Sequence, residues 1–564
     1  MKNIRKTSWL CVMGIGLTLQ GCILPVNTKV VKTRGATRMA QVPVETVQKQ
    51  HTRLISPSKD DARYREMLID WKLRSLAHDP EQLREFFLPL PKGAGLHMDL
   101  AGSVSTERLI AWGAADGLCI NRKNWTAESP PCQGKAVPMQ EAMAERALHR
   151  KIVQEWSMEH FQGSRQEAQQ HFWDALDKFD AVLSKKRLVD SLADILSIAG
   201  KNTHSYVELL HGLNSDQVGK RAARYIQPDD PWTETVLLKR RQQIMADPLF
   251  QKTVAHTTAN LKKWVAGARD LLGCKTGNPD PGCAVEVRFL MSANRTRDRG
   301  YVFGQWVYGY ELARQSPLVL GIGLMGPEEH ENSLAYYDDE MFALDVLHRL
   351  KQADTQQQPV RIALPAGELI PELVPDTLEG QWHLKFHIRH AVEMGHAERV
   401  GHGCDVLGEE DHTELLTRMR ERGVLVEACL TSNAVLLGKT GRSHPLNLYL
   451  GQGVPVVLAT DHAGILRIDI TDEFVRAVTH QHLGYSELKR MVRASVEHSF
   501  LPGASLWQEE GRYERVVNAC AQDPAGATHG SASCNRFLQG SRRAAMQWKL
   551  EGQLAAFEEQ VVEQ

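Results

Sequence analysis

The chain has almost no net charge: 67 Lys and Arg stand against 68 Asp and Glu, a formal −1 over 564 residues. That balance supplies no basic face of the kind nucleic acid requires, so nucleic acid is not an expected partner. Long apolar runs are missing after Trp9–Leu19, and hydrophobic residues make up only 42% of the chain against 24% charged. A polytopic helical membrane protein and a mostly disordered chain are both excluded by those values. Cysteine is sparse at ten residues, and no two have the Cys-x-x-Cys spacing of a structural zinc cluster.

The short apolar run at the start follows a basic segment, Lys2, Arg5 and Lys6, and ends in Leu19-Gln20-Gly21-Cys22. It is too short to span a bilayer as a mature helix. The pattern resembles a bacterial lipoprotein signal over residues 1–21, with Cys22 lipidated and residues 22–60 forming a polar tether. Ile23 after the cysteine points to an outer-membrane lipoprotein anchored to the membrane through its lipid. An ordinary cleaved secretory signal, giving a periplasmic protein, is the other reading, and both export the chain. Six further cysteines form three local pairs, Cys119/Cys132, Cys274/Cys283 and Cys520/Cys534, each bracketing a segment rich in Gly, Pro, Asn or Ser. Export makes three disulfides the natural expectation. Cys404 and Cys429 stand apart and are read as packed thiols, with a Cys404–Cys429 bond a lesser option.

Residues 61–93 read as a helical extension, with Asp79-Pro80-Glu81 as a helix start. From about residue 94 short apolar runs alternate with helical stretches such as Asp339–Gln352 and His383–Gly395. The runs are Ala94–Leu100, Thr203–Leu210, Ala284–Met291, Leu318–Met325, Val360–Ala366, Arg399–His402, Val424–Leu430 and Pro455–Ala459. Several are unbroken Val, Ile and Leu, as expected of strands buried on both faces. Eight such strands predict an α/β fold, a (β/α)8 TIM barrel over 94–510. A helical insertion over 113–200 follows the first strand, carrying helices such as Met139–Trp156 and His171–Leu183. Residues 511–564 read as a C-terminal helical extension, closing with a charged helix near Ala544–Glu563.

In such a barrel the chemistry gathers where the strands end. The strand ends here read His97-Met98-Asp99, Ala366-Gly367-Glu368, Gly401-His402-Gly403, Thr431-Ser432-Asn433 and Thr460-Asp461-His462. One strand-end histidine proves nothing, because a packed, hydrogen-bonded histidine serves as well. Several in chain order on one face are harder to dismiss.

Together with Leu90-Pro91-Lys92-Gly93-Ala94 and His444-Pro445, these segments resemble the adenosine deaminase family, most closely its exported, growth-factor-type branch. The resemblance runs from about Leu88 to Trp507. It implies a hydrolase converting adenosine to inosine at a site holding one divalent metal, zinc by family. Carried over by position, it makes Glu368 the proton donor and His402 the base beside the attacking water. His97 and Asp461 fall at two metal-ligand positions, and Asp99 at a third that usually holds histidine. The fourth, a histidine in the family, is Pro365, so the implied metal site is degenerate and its metal weak or absent. Gly326 and His462 fall at purine-contacting positions, the latter usually an aspartate, and Ala101 and Gly323 stand where polar residues are usual. The implied partner is a small purine nucleoside. An alternative is a catalytically inactive, nucleoside-binding or scaffolding lipoprotein on the same barrel. Without metal, Glu368 would need a buried partner, which His402 or Arg389 supplies.

Overall fold

The computed structural model describes residues 62–183, 187–227, 230–352, 359–509 and 511–563. Cys22, the signal segment and the tether lie outside them. Among the described residues no helix is long and apolar enough to cross a membrane.

Eight parallel strands form one sheet: β1 (Gly93–Asp99), β2 (His204–His211), β3 (Glu286–Asn294), β4 (Val319–Met325), β5 (Arg361–Ala366), β6 (Arg399–His402), β7 (Leu425–Ala428) and β8 (Val456–Leu458). Each strand pairs with its neighbour in sequence, so the order around the sheet is the order along the chain. The sheet curls round to meet itself just beyond β8. The Asp461 amide donates to the His97 carbonyl at 3.1 Å, and the Asp99 amide to the Asp461 carbonyl at 3.3 Å. This is the expected α/β barrel. All seven β1 residues and all four of β6 and of β7 are buried. That explains their unbroken apolar sequence, since helices cover one face and the barrel core the other.

The base of β1 is set by a backbone approach that only glycine permits. Gly93 has φ +67°, and a Cβ there would lie 2.5 Å from the Ser495 hydroxyl. Ser495 instead accepts the Ala94 amide at 2.8 Å, joining β1 to the helix Tyr485–Glu497. The N-terminal extension is helical as read: α1 (Ala62–Leu76), then α2 (Pro80–Phe87), whose Asp79 cap accepts the Glu81 and Gln82 amides at 3.1 Å each. The C-terminal helix Arg542–Glu563 packs against α1 and the helix under β1. Trp507 and Val516 form an isolated antiparallel bridge.

The insertion after β1, read as a helical region, also holds strands. A three-stranded antiparallel sheet (Cys119–Asn121, Ala127–Glu128, Ala136–Pro138) precedes its helices. Strands of two or three residues leave no periodicity to read, and the Cys119–Cys132 disulfide, rather than apolar alternation, closes the segment. The anticipated helix Met139–Trp156 is two helices, Gln140–Ala144 and Arg146–Glu155. A further helix, α3 (Arg165–Phe179), starts at a Ser164/Glu167 capping box. Cys274–Cys283 and Cys520–Cys534 are also bonded, so all three expected disulfides are present, whereas Cys404 and Cys429 are free and buried.

Candidate active site

The barrel mouth opens into a cavity of about 530 Å³ lined by His97, Asp99, Glu368, His402, Asp461 and His462 together with Gly326 and Pro365. All eight were singled out from sequence, and β1, β4, β5, β6 and β8 bring them to one face. Two of them sit in the left-handed region at the point where a strand breaks off, His402 at φ +63° and Asp461 at φ +58°. Non-glycine residues held there are typically over-determined by their surroundings and cluster at functional sites.

Two imidazoles are fixed from behind. His97 gives its Nδ1 to Glu427 Oε2 at 2.8 Å, and Glu427 is itself paired with the fully buried Arg399 at 2.8 Å. Burial opposes ionisation of Glu427, but the Arg399 charge and the His97 bond hold its pKa below the usual range. An ionised Glu427 requires Nδ1 of His97 to carry the proton, so Nε2 faces the mouth, 3.8 Å from Asp461 Oδ1. His402 gives Nδ1 to Asn433 Oδ1 at 2.9 Å, and the Asn433 amide nitrogen contacts His444 Nε2 at 3.0 Å. His402 Nε2 therefore points inward, 3.5 Å from Glu368 Oε1. Gly401 makes room for this arrangement, since a Cβ there would lie 2.5 Å from His97 Cε1.

Glu368 stands on a braced turn. Gly367 has φ +88°, and Glu328 accepts the Gly367 and Glu368 amides at 3.2 and 2.6 Å. Glu328 also takes the Nδ1 of His387 at 2.8 Å. Burial raises the Glu368 pKa; the His402 side works against that, and the Glu328 and Asp461 charges add to it. A carboxyl that holds its proton is suited to giving it away. Arg389, the other partner considered for Glu368, instead binds Glu393 and Glu414.

Opposite lies a chain of two carboxylates and one imidazole. His462 Nδ1 bonds Asp461 Oδ1 at 2.6 Å, and its Nε2 lies 3.7 Å from Asp99 Oδ1. Burial disfavours a charged His462, yet Asp461 and Asp99 outweigh it and push the pKa up to about 9. Asp461, which also accepts the Ser432 hydroxyl at 3.0 Å, is held well below the usual carboxylate range: burial opposes this, and the His462, His402 and His97 charges overcome it. Asp99 Oδ1 accepts the Gly102 amide at 2.7 Å.

Residues that sequence reasoning did not single out form the wall of the cavity. Phe172, Trp173 and Leu176 of α3 reach over the mouth, and the Phe172 and Trp173 rings meet His462 edge-on at 5.0 and 5.8 Å. Their signal was only an apolar stripe on a helix far away in sequence. Gly323 leaves little room for a side chain, a Cβ there lying 3.0 Å from the Ala363 carbonyl.

Residues 380–506 match the adenosine deaminase family model. The chain is thus similar to the adenosine deaminase family over that segment. It is 28% identical over 136 residues to an adenosine deaminase of Plasmodium knowlesi, covering 22% of this chain and 37% of that one. With an adenosine deaminase of Clostridium perfringens it shares 31% over 115 residues, 20% of this chain and 34% of that one. The matched stretch thus spans little more than a third of these curated relatives. Among solved structures, an adenine deaminase from Arthrobacter aurescens is 18% identical, with TM-score 0.46, covering 73% of this chain and 94% of that one.

The family implies a divalent metal, and the four positions that would hold it do not fit one here. Pro365 offers no side-chain donor, and its carbonyl accepts from Arg295 Nη2 at 2.8 Å. Asp99 faces Gly102 and His462, and both Asp461 oxygens already accept hydrogen bonds. Among the described residues, the group whose donor atoms converge within 4.8 Å of one another is His97, His402 and Cys429.

Proposed function

We propose that this protein is an exported hydrolase that deaminates a purine nucleoside, adenosine in the first instance, to the corresponding oxo-purine and ammonia. The observation that carries the reading is Glu368: a carboxyl at the cavity wall whose pKa burial raises, on a braced turn, 3.5 Å from the Nε2 of His402. Protonation of a ring nitrogen beside the amino-bearing carbon makes that carbon electrophilic. Water then adds to it, and the amino group leaves as ammonia. Glu368 delivers the ring proton; His402 Nε2, where no cation occupies it, accepts a proton from water and passes it to the departing amino group, and the proton of the added hydroxyl returns to Glu368 as the carbonyl forms. Gly326, at φ +101°, lets the β4 end lie close to a flat ring, and Phe172, Trp173 and Leu176 supply an apolar wall.

Export, with Cys22 as a lipid anchor, belongs to the same proposal. Three disulfides in one chain suit an oxidising compartment.

The test is ammonia release from adenosine and related aminopurine nucleosides by the purified protein, beside its Glu368→Gln variant. Turnover that disappears in the variant supports the reading. A folded protein that binds adenosine without releasing ammonia would make it a binding protein instead.

A further inference from the structure

Cys429 closes a donor group that the family positions do not provide. It follows β7 directly, is 1% exposed, and makes no disulfide. Its sulfur converges within 4.8 Å with one nitrogen each of His97 and His402. Both imidazoles are held by outer partners, Glu427 on His97 and Asn433 on His402, each of which takes Nδ1 and turns Nε2 inward. That is how metal-binding histidines are usually oriented, one ring nitrogen anchored by a carboxylate or carbonyl oxygen and the other free to ligate. The sulfur donates to the Glu427 carbonyl at 3.6 Å, a weak contact that a ligating thiolate can give up.

We infer that this chain binds a thiophilic divalent cation, zinc or a relative, through His97 Nε2, His402 Nε2 and Cys429 Sγ rather than through the four positions of its family. The physical logic is compensation. Pro365 on β5 and Asp99 on β1 offer no imidazole, and both ring nitrogens of His462 face carboxylates, so the imidazoles with a free Nε2 at the mouth are His97 on β1 and His402 on β6. The donor that converges with both is Cys429, directly after β7, and thiolate sulfur and imidazole nitrogen are both established zinc donors. The three strand ends neighbour one another from β6 to β7, with His97 reaching across the mouth: its ring is edge-on to His402 at 5.1 Å between centroids. Cation binding would release the thiol proton to solvent and leave an anionic thiolate as the ligand, cancelling one of the two cation charges. With no cation present, burial and then the surrounding carboxylates Asp461, Glu473, Glu427 and Glu368 keep the thiol protonated. Where the cation binds, His402 Nε2 is a ligand, and Glu368 becomes the group left to handle both proton transfers.

This inference rests on the donor geometry and not on the hydrolase reading, and its test reads ligation rather than turnover. The purified full-length protein is stripped of metal and titrated with Co2+, followed by absorption spectroscopy and by elemental analysis with Zn2+. One equivalent should bind and give a thiolate-to-cobalt charge-transfer band. Cys429→Ser should remove the band and weaken Zn2+ binding by about 10–100-fold or more, while Cys404→Ala, the other buried free thiol, keeps both. A cobalt spectrum of the unmodified protein with no thiolate band overturns the assignment. So does a band that survives Cys429→Ser or vanishes with Cys404→Ala. Because the unmodified protein already decides the first point, a variant that fails to fold does not rescue the claim.

Discussion

Asp99 and His462 face each other across the barrel mouth, His462 Nε2 lying 3.7 Å from Asp99 Oδ1. The imidazole stands on the β8 side of the mouth. There it also bonds Asp461 at 2.6 Å.

That pairing sets a pH dependence. The folded-state pKa of His462 is raised to about 9, above an unfolded value near 6.5. Its contribution to stability is therefore fully present below about pH 6.5 and is lost as pH rises through about 9. Thermal unfolding of the intact protein should show Tm falling between pH 7 and 9.5. His462→Asn should have a lower Tm at pH 6.5 and a flatter profile above it. Parallel profiles for the two proteins would contradict this.

Gly401→Ala should damage the site more than the fold. A Cβ there lies 2.5 Å from His97 Cε1 and 2.9 Å from its Nδ1, so the ring must move and its Glu427 bond must break. Turnover should drop at least tenfold with far-ultraviolet circular dichroism unchanged. Normal kinetics would mean that the imidazole is not held as described.

Phe172→Ala and Trp173→Ala test the wall. Both side chains line the cavity from α3, and Phe172 is buried whereas Trp173 is partly exposed. Removing Trp173 should raise KM several-fold with kcat little changed. Phe172→Ala should do the same and also cost about 3 kcal/mol of stability. An unchanged KM in both would remove α3 from substrate binding.

Much of this was legible in the sequence because the barrel repeats its signal. Runs such as Val424–Leu430 and Leu318–Met325 are apolar throughout, and strands covered on both faces leave that mark. The strand-end residues from His97 to His462 were legible for a related reason: in this fold, polar residues at that position share one face. The small sheet around Cys119 was not, since strands of two and three residues have no period. Phe172 and Trp173 were missed because an apolar stripe on a helix reads as core, and only the path of the insertion brings it over the mouth. Cys429 was read as packing for the same reason: a buried thiol looks identical in sequence whether or not two imidazole nitrogens converge on it.

Membrane attachment is tested separately from the site. Cys22→Ser should move the protein from the membrane fraction to the soluble one, and non-reducing peptide mapping should recover Cys274 linked to Cys283. Unchanged partitioning would refute the anchor.

The most direct measurement of the central claim is a turnover in water enriched in oxygen-18. Adenosine incubated with the purified protein should yield one ammonia per product molecule, and each product should carry one heavy oxygen at the carbon that lost its amino group. Glu368→Gln should slow this by about 100-fold or more. Ammonia release with no heavy oxygen in the product, or no ammonia from any aminopurine nucleoside by the folded, metal-supplied protein, would contradict hydrolytic deamination at this site.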